Sequence, residues 1–128
     1  MTIRIVRLGS ERAADEGVRI GTVRRPPRGV PKAEFSRRNY YDVWLPTLSP
    51  TPELVSEALA STTDAEWKAF VRKFRAEMNH GDASKVLDTL AALSATSNFS
   101  VGCYCEDEAH CHRSVLRALL LENGADVA

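Results

Sequence analysis

Val101-Gly102-Cys103-Tyr104-Cys105-Glu106-Asp107-Glu108-Ala109-His110-Cys111-His112-Arg113 is the stretch on which the fold turns. Its opening, from Phe99 onward, is short and apolar and ends in a polar turn, so residues 99–105 read as a buried strand. Beyond the turn, Val115, Leu116, Leu119 and Leu120 keep helical spacing as far as Gly124, so a last helix begins near Cys111. Alternation along the strand puts Cys103 and Cys105 on one face and Tyr104 on the other.

Upstream, three more amphipathic segments carry helix start signals. Thr51-Pro52 offers a cap followed by a proline at the first helical position, with Leu54, Val55, Ala58 and Leu59 on one face. Thr63-Asp64-Ala65-Glu66 has the form of a capping box. Behind it Trp67, Phe70, Val71, Phe74 and Met78 form a stripe, with Gly81 as the expected stop. Asp82 or Ser84 then caps a helix that buries Val86, Leu87, Leu90 and Leu93. Helices leading into a strand and then another helix predict an α/β domain, a small sheet with several helices packed on it, over residues 1–128.

The amino-terminal part has different patterning. Residues 2–8 and 18–24 are β-branched and partly alternating, which predicts two strands joined by a long turn over 9–17, as a loose hairpin or as neighbours across a wider loop. Pro26-Pro27-Arg28-Gly29-Val30-Pro31 then breaks regular structure, and residues 26–50 read as a long excursion. Excursions of that length inside a domain are usually functional or mobile.

Composition narrows the class. A chain of 128 residues, 44% hydrophobic and 27% charged, is ordinary for one globular domain and can bury roughly two-thirds of its unfolded surface. No signal-peptide core or membrane-spanning run is visible. The three cysteines are an odd set crowded between Cys103 and Cys111, which predicts reduced thiols and a cytoplasmic location. Formal charge is zero, against a surface built wholly for nucleic acid. Locally, however, Arg19, Arg24, Arg25, Arg28, Lys32, Arg37 and Arg38 face a single acid, Glu34, and such an excess attracts phosphate or carboxylate unless it is a solvated loop.

Three chemistries compete at residues 103–113. Cys111 at a helix start beside His112 and Arg113 suits a low-pKa thiolate, with His112 moving protons and Arg113 holding an anionic group. Cys103, Cys105 and Cys111 with His110 or His112 make a legitimate zinc set, although the usual Cys-x2–4-Cys spacing is absent. Finally, cysteines are small hydrophobes, and the cluster can simply maintain the fold. The expectation is no resident cofactor, with zinc as the alternative.

These residues also resemble a family. Gly17-Val18-Arg19-Ile20, Arg24 and Pro27-Arg28-Gly29 are similar to the strand and Pro-Arg-Gly loop of the YeaO-like proteins (domain-of-unknown-function family 488). Trp44, Pro50 and Glu53-Leu54, the aromatic helix Trp67, Phe70, Phe74, Glu77 and Met78, and Cys103 with Cys111-His112-Arg113 follow in the family's order. Pro26 stands where the family commonly has tryptophan, Val23 where an aspartate is frequent, and Cys105 replaces the commoner glutamate. The resemblance brings no established activity. It implies that Arg24, Arg28, Cys111, His112 and Arg113 belong to one arrangement, with the Pro-Arg-Gly loop folded over the mouth between last strand and last helix. A small anionic ligand such as phosphate or nucleotide is the expected partner. The alternative is a non-enzymatic nucleic-acid-binding or regulatory module in which Trp44 stacks on a base.

Overall fold

The computed structural model describes residues Met1–Ala128. Strands β1 (Ile3–Arg7), β2 (Val18–Gly21), β3 (Val43–Trp44) and β4 (Phe99–Cys103) form one sheet in the order β1-β4-β2-β3, with every pairing parallel. β4 is interior: Phe99 lies opposite both Ile3 and Val18, and Gly102 opposite both Val6 and Gly21. All its residues are buried, as a strand paired on both sides and covered on both faces must be. The fold is α/β, as the patterning predicts. Both expected arrangements of the first two strands, hairpin and neighbours, are corrected: β1 and β2 run parallel with β4 inserted between them, so residues 8–17 form a crossover.

Helices α1 (Pro52–Ala60), α2 (Asp64–Met78), α3 (Gly81–Leu93) and α4 (His112–Glu122) supply the apolar cover. Thr63 Oγ1 accepts the Glu66 N–H at 3.2 Å, while the Glu66 carboxylate reaches back to the Thr62 N–H at 3.4 Å. The capping box thus forms with its return arm displaced by one residue. Gly81, expected to end α2, instead opens α3 in the left-handed region at φ +52°. No helix is long and apolar enough to cross a membrane.

Strand alternation separates two chemistries. Ile3, Phe99 and Val101 join Phe70, Phe74, Leu87, Leu116 and Leu120 in the main core beneath the helices. On the opposite face stand Arg19, Gly21, Ser100 and Gly102, covered by the helix-poor connections 8–17 and 22–42. Arg19 is completely buried there. Its guanidinium donates to both Glu16 carboxylate oxygens at 2.7 and 3.0 Å and to the Ser10 and Asn39 carbonyls at 2.9 and 2.8 Å. Ser100 Oγ of β4 donates to Glu16 at 2.7 Å. Around this pair, Asp42 accepts the Arg19 backbone N–H at 2.8 Å, both Arg12 terminal nitrogens and the Ser36 hydroxyl. The basic excess read over 19–38 is therefore partly an interior feature.

The outer edges are managed differently. The chain's last residues lie along β1, with Ile3 bridging Val127, while β3 is only two residues long and exposed. Short or covered edges deter pairing with other chains.

Burial raises the Glu16 carboxyl, but Arg19, Ser100 and the Ala13 N–H outweigh it and bring its pKa from 4.5 to about 2. A depressed carboxyl pKa adds stability that is complete above the unfolded value and is lost as pH falls toward the folded one. Glu16→Gln is expected to cost about 3–5 kcal/mol at neutral pH by leaving Arg19 buried and uncompensated. Urea denaturation at pH 7 and at pH 3 checks both points: the deficit should shrink at the lower pH.

Candidate functional site

Because all strands are parallel, their carboxyl ends share one edge, the place where open α/β sheets accept ligands. Three chain segments meet there: residues 22–25 beyond β2, Cys103–Cys105 at the end of β4, and Cys111–Arg113 at the start of α4. They enclose a cavity of about 480 Å³. Its floor and one wall are Cys103, Cys105, Cys111 and His112; Pro52, Val55, Ala58 and Leu59 of α1 make the facing apolar wall; Arg24, Arg25 and His110 also line it.

Local sequence explains the sulfur placement. β4 ends at Cys103 because residues 104–111 turn through a short 3-10 segment, anchored by the Asp107 side chain accepting the Ala109 N–H. Cys111 is then the N-cap of α4 with extended backbone, but its side chain makes no capping bond to the helix. Its thiol is free to face inward. Tyr104, just past the strand, lines the same cavity, and its hydroxyl donates to the Arg25 carbonyl at 2.9 Å. Cys105 lies past the strand, yet its Sγ stays 3.9 Å from that of Cys103.

His112 is held by the end of β2. One ring nitrogen, Nε2, lies 2.6 Å from the Thr22 carbonyl oxygen, and a carbonyl can only accept, so Nε2 carries a proton. In the neutral ring this leaves Nδ1 with its lone pair, 3.9 Å from Cys111 Sγ. The ring is further fixed edge-on against Phe74 at 5.6 Å. Thr22 is itself locked, with its N–H and Oγ1 both donating to the Gly102 carbonyl at 3.0 and 2.9 Å.

Arg113 is buried beneath the cluster. Its Nε donates to Cys111 Sγ at 3.4 Å and its Nη2 to the Cys105 carbonyl at 2.6 Å. Cys111 is held below the ordinary thiol range, because Cys103 and Cys105 donate toward it and His112 adds to their effect, against the opposing cost of burial. Cys103 is pushed upward: its proton is engaged by Cys105 and Cys111, and burial disfavours a second charge. Of the three thiols, Cys111 ionises first.

Of Arg24, Arg28 and Arg113, expected to converge beneath the Pro-Arg-Gly loop, only Arg24 lines the cavity. Arg24 reaches the cavity, but its Nε and Nη2 are bonded to the Pro50 and Ser49 carbonyls, both at 2.9 Å, tying the β2 extension to the start of α1. Arg28 is exposed and is not among the lining residues. Arg113, not among the lining residues, reaches the cluster through the Cys111 thiol and the Cys105 carbonyl. Trp44 lies outside the cavity too, donating from Nε1 to the Val23 carbonyl at 2.8 Å. His110 lines the rim, bonded to Asp107 and packed against Trp67 at 5.5 Å, apart from the compact group of Cys103, Cys111 and His112. Arg25, which also lines the cavity, stood out in the sequence only as one of the local basic excess, and sequence reasoning passed over Thr22, which orients His112 through a backbone carbonyl and so leaves no trace in residue type.

A second, smaller cavity of about 420 Å³ is lined by Arg7, Leu8, Gly9, Ser10, Tyr40 and Tyr104.

These features define an α/β protein with a cysteine–histidine cluster at the carboxyl edge of a parallel sheet. The chain belongs to the DUF488 family: the family model DUF488-N3a, described as the active DUF488-N3 subclade, matches residues 3–124. Neither the curated proteins nor the solved structures contain a significant match.

A lowered Cys111 pKa has a direct readout. An ordinary thiol loses thiolate about tenfold per pH unit below its pKa. In chelator-treated protein, alkylation at Cys111, located by peptide mass spectrometry, is expected to change little between pH 8 and pH 6. A tenfold-per-unit fall over that range refutes the assignment.

Proposed function

We propose that this protein is a thiol-dependent enzyme in which Cys111 is the nucleophile and His112 its proton partner. The observation that carries the reading is the fixed orientation of His112: the Thr22 carbonyl holds the Nε2 proton and so presents the basic Nδ1 toward Cys111 Sγ at 3.9 Å. The description of the matching family as an active subclade supports an enzymatic reading over a purely structural one.

The chemistry follows from the atoms. The Cys111 thiol proton passes to His112 Nδ1, and the sulfur lone pair forms a bond to an electrophilic carbon of the substrate. The bond to the leaving group breaks, and His112 returns the proton to the departing atom. Water then releases the acyl group or its equivalent from sulfur. Arg113 Nε holds the thiolate in place, and its buried charge offsets that of the sulfur. Cys103 keeps its proton and serves as a donor.

The cavity walls set the substrate class. Facing the sulfur is an apolar surface from α1, with two arginines, Arg24 and Arg25, at the border. This fits a small molecule with an apolar body and one anionic end, which Arg25 meets at the rim. A nucleic-acid module draws less from the geometry. Of the basic residues that prompted it, Arg19 is buried and paired, and Arg37 is paired with Glu34 at 2.7 Å.

Incubation with activated esters and thioesters carrying an aromatic body and a carboxylate is expected to give turnover through a covalent adduct on Cys111. Cys111→Ala removes it, and His112→Ala lowers kcat by about 10²–10⁴. Arg25→Ala raises KM while leaving kcat nearly unchanged. Turnover that survives Cys111→Ala, or no adduct with any activated acyl probe, overturns the proposal.

A further inference from the structure

The thiol cluster has a second capability that covalent catalysis does not use. Cys103 Sγ, Cys111 Sγ and a ring nitrogen of His112 all lie within 4.8 Å of one another, and all three residues are buried. Zinc bound at about 2.3 Å to sulfur and about 2.0 Å to nitrogen forms a tetrahedron with ligand edges of roughly 3.5–3.8 Å. The Cys111 Sγ to His112 Nδ1 distance is 3.9 Å, so these three ligands need only small side-chain shifts to close on an ion. Cys105 Sγ is 3.9 Å from Cys103 Sγ but stands outside the group within 4.8 Å, and it must swing further in to complete the tetrahedron.

The surroundings also suit a metal. A metal-bound histidine typically donates its other ring N–H to a carboxylate or a backbone carbonyl, which fixes the ring and the tautomer. Thr22 supplies that carbonyl at 2.6 Å from Nε2. Three thiolates around a divalent ion leave one net negative charge, which is costly to bury alone. Arg113, buried and already donating to Cys111 Sγ, provides the compensating positive charge. Access is through the cavity, which Cys103, Cys105, Cys111 and His112 all line.

We propose that Cys103, Cys105, Cys111 and His112 bind one zinc ion, and that its occupancy withdraws Cys111 from reaction. The protons on the thiols leave as the ion enters, so binding strengthens with pH. His110, the histidine nearer the polar turn, takes no part. The inhibitory half of this proposal rests on the nucleophile reading above; the binding half stands on the ligand geometry alone.

The test uses the full chain stripped with chelator and then titrated with cobalt(II) alone, as a coloured stand-in for zinc, followed by displacement with zinc. The expected result is one equivalent bound, with thiolate-to-cobalt charge-transfer absorption and the intense red-region bands of a tetrahedral site, both abolished by zinc. Cys103→Ser keeps the side-chain size and is expected to lose more affinity than the ~10–100-fold typical of an outer-shell partner. His110→Ala leaves binding unchanged, and circular dichroism confirms that both variants are folded. Absence of charge-transfer absorption in the wild type overturns the metal site and leaves the nucleophile reading intact. If cobalt binds, alkylation of Cys111 is measured with and without one equivalent of zinc. Suppression supports the inhibitory role, and an unchanged rate overturns it. A Cys111 that is unreactive even when metal-free removes the nucleophile reading, and with it the inhibitory half, while the binding site stands.

Discussion

A buried guanidinium closes the side of the sheet that no helix covers. Arg19 is an interior residue of β2, and the groups that satisfy it come from three places: Glu16 and Ser10 in the first crossover, Asn39 in the second, and, through Glu16, Ser100 in the central strand. Paired charges in such a setting contribute less to net stability than to registry, since the desolvation cost offsets much of the attraction. Here the registry is that of two long connections against β2 and β4. The same connections also bury Leu8, Val23 and Tyr41 in a small apolar cluster with Cys103 and Cys111, and the ionic and apolar contacts together give the backbone beyond β2 a fixed position.

That fixed position is what the candidate site needs. Thr22 follows β2 directly and is bonded twice to Gly102 of β4, so its carbonyl oxygen is a rigid point from which His112 is oriented. Close packing reinforces the arrangement: a Cβ on Gly102 would sit 2.7 Å from Leu8 Cδ2, and one on Gly21 would overlap the Tyr41 ring. Both positions require glycine because neighbouring groups already occupy the space a side chain would take. The sulfur cluster thus sits at the end of β4 and the first turn of α4, with the residue after β2 orienting its histidine.

Much of the architecture was legible in the chain itself. The stripes of α2, α3 and α4 and the apolar run of β4 gave the class, because burial against a core imposes periodicity. Strand order was not legible. The insertion of β4 between β1 and β2 pairs residues 96 positions apart, and no local pattern encodes that. The segment 103–113 stood out by composition, and its placement at the end of β4 and the start of α4 follows from the same patterns. The arginines misled for a physical reason: a guanidinium that stabilises the interior and one that meets a ligand have the same residue type. Arg19 is distinguished only by its alternation with Val18 and Ile20 on a strand, and by the acid three residues before it. Arg24 spends its donors on the backbone of the α1 approach, and Arg28 stays in solvent.

Tyr104 lines both cavities. Its hydroxyl is tethered to the Arg25 carbonyl by a hydrogen bond of a kind that contributes about 1 kcal/mol net, and its ring packs edge-on against Tyr40 at 6.3 Å. One side chain shared by a sulfur-lined chamber and a more polar one couples their shapes. A substitution that shortens it widens both at once, so neither chamber can be remodelled at that position alone.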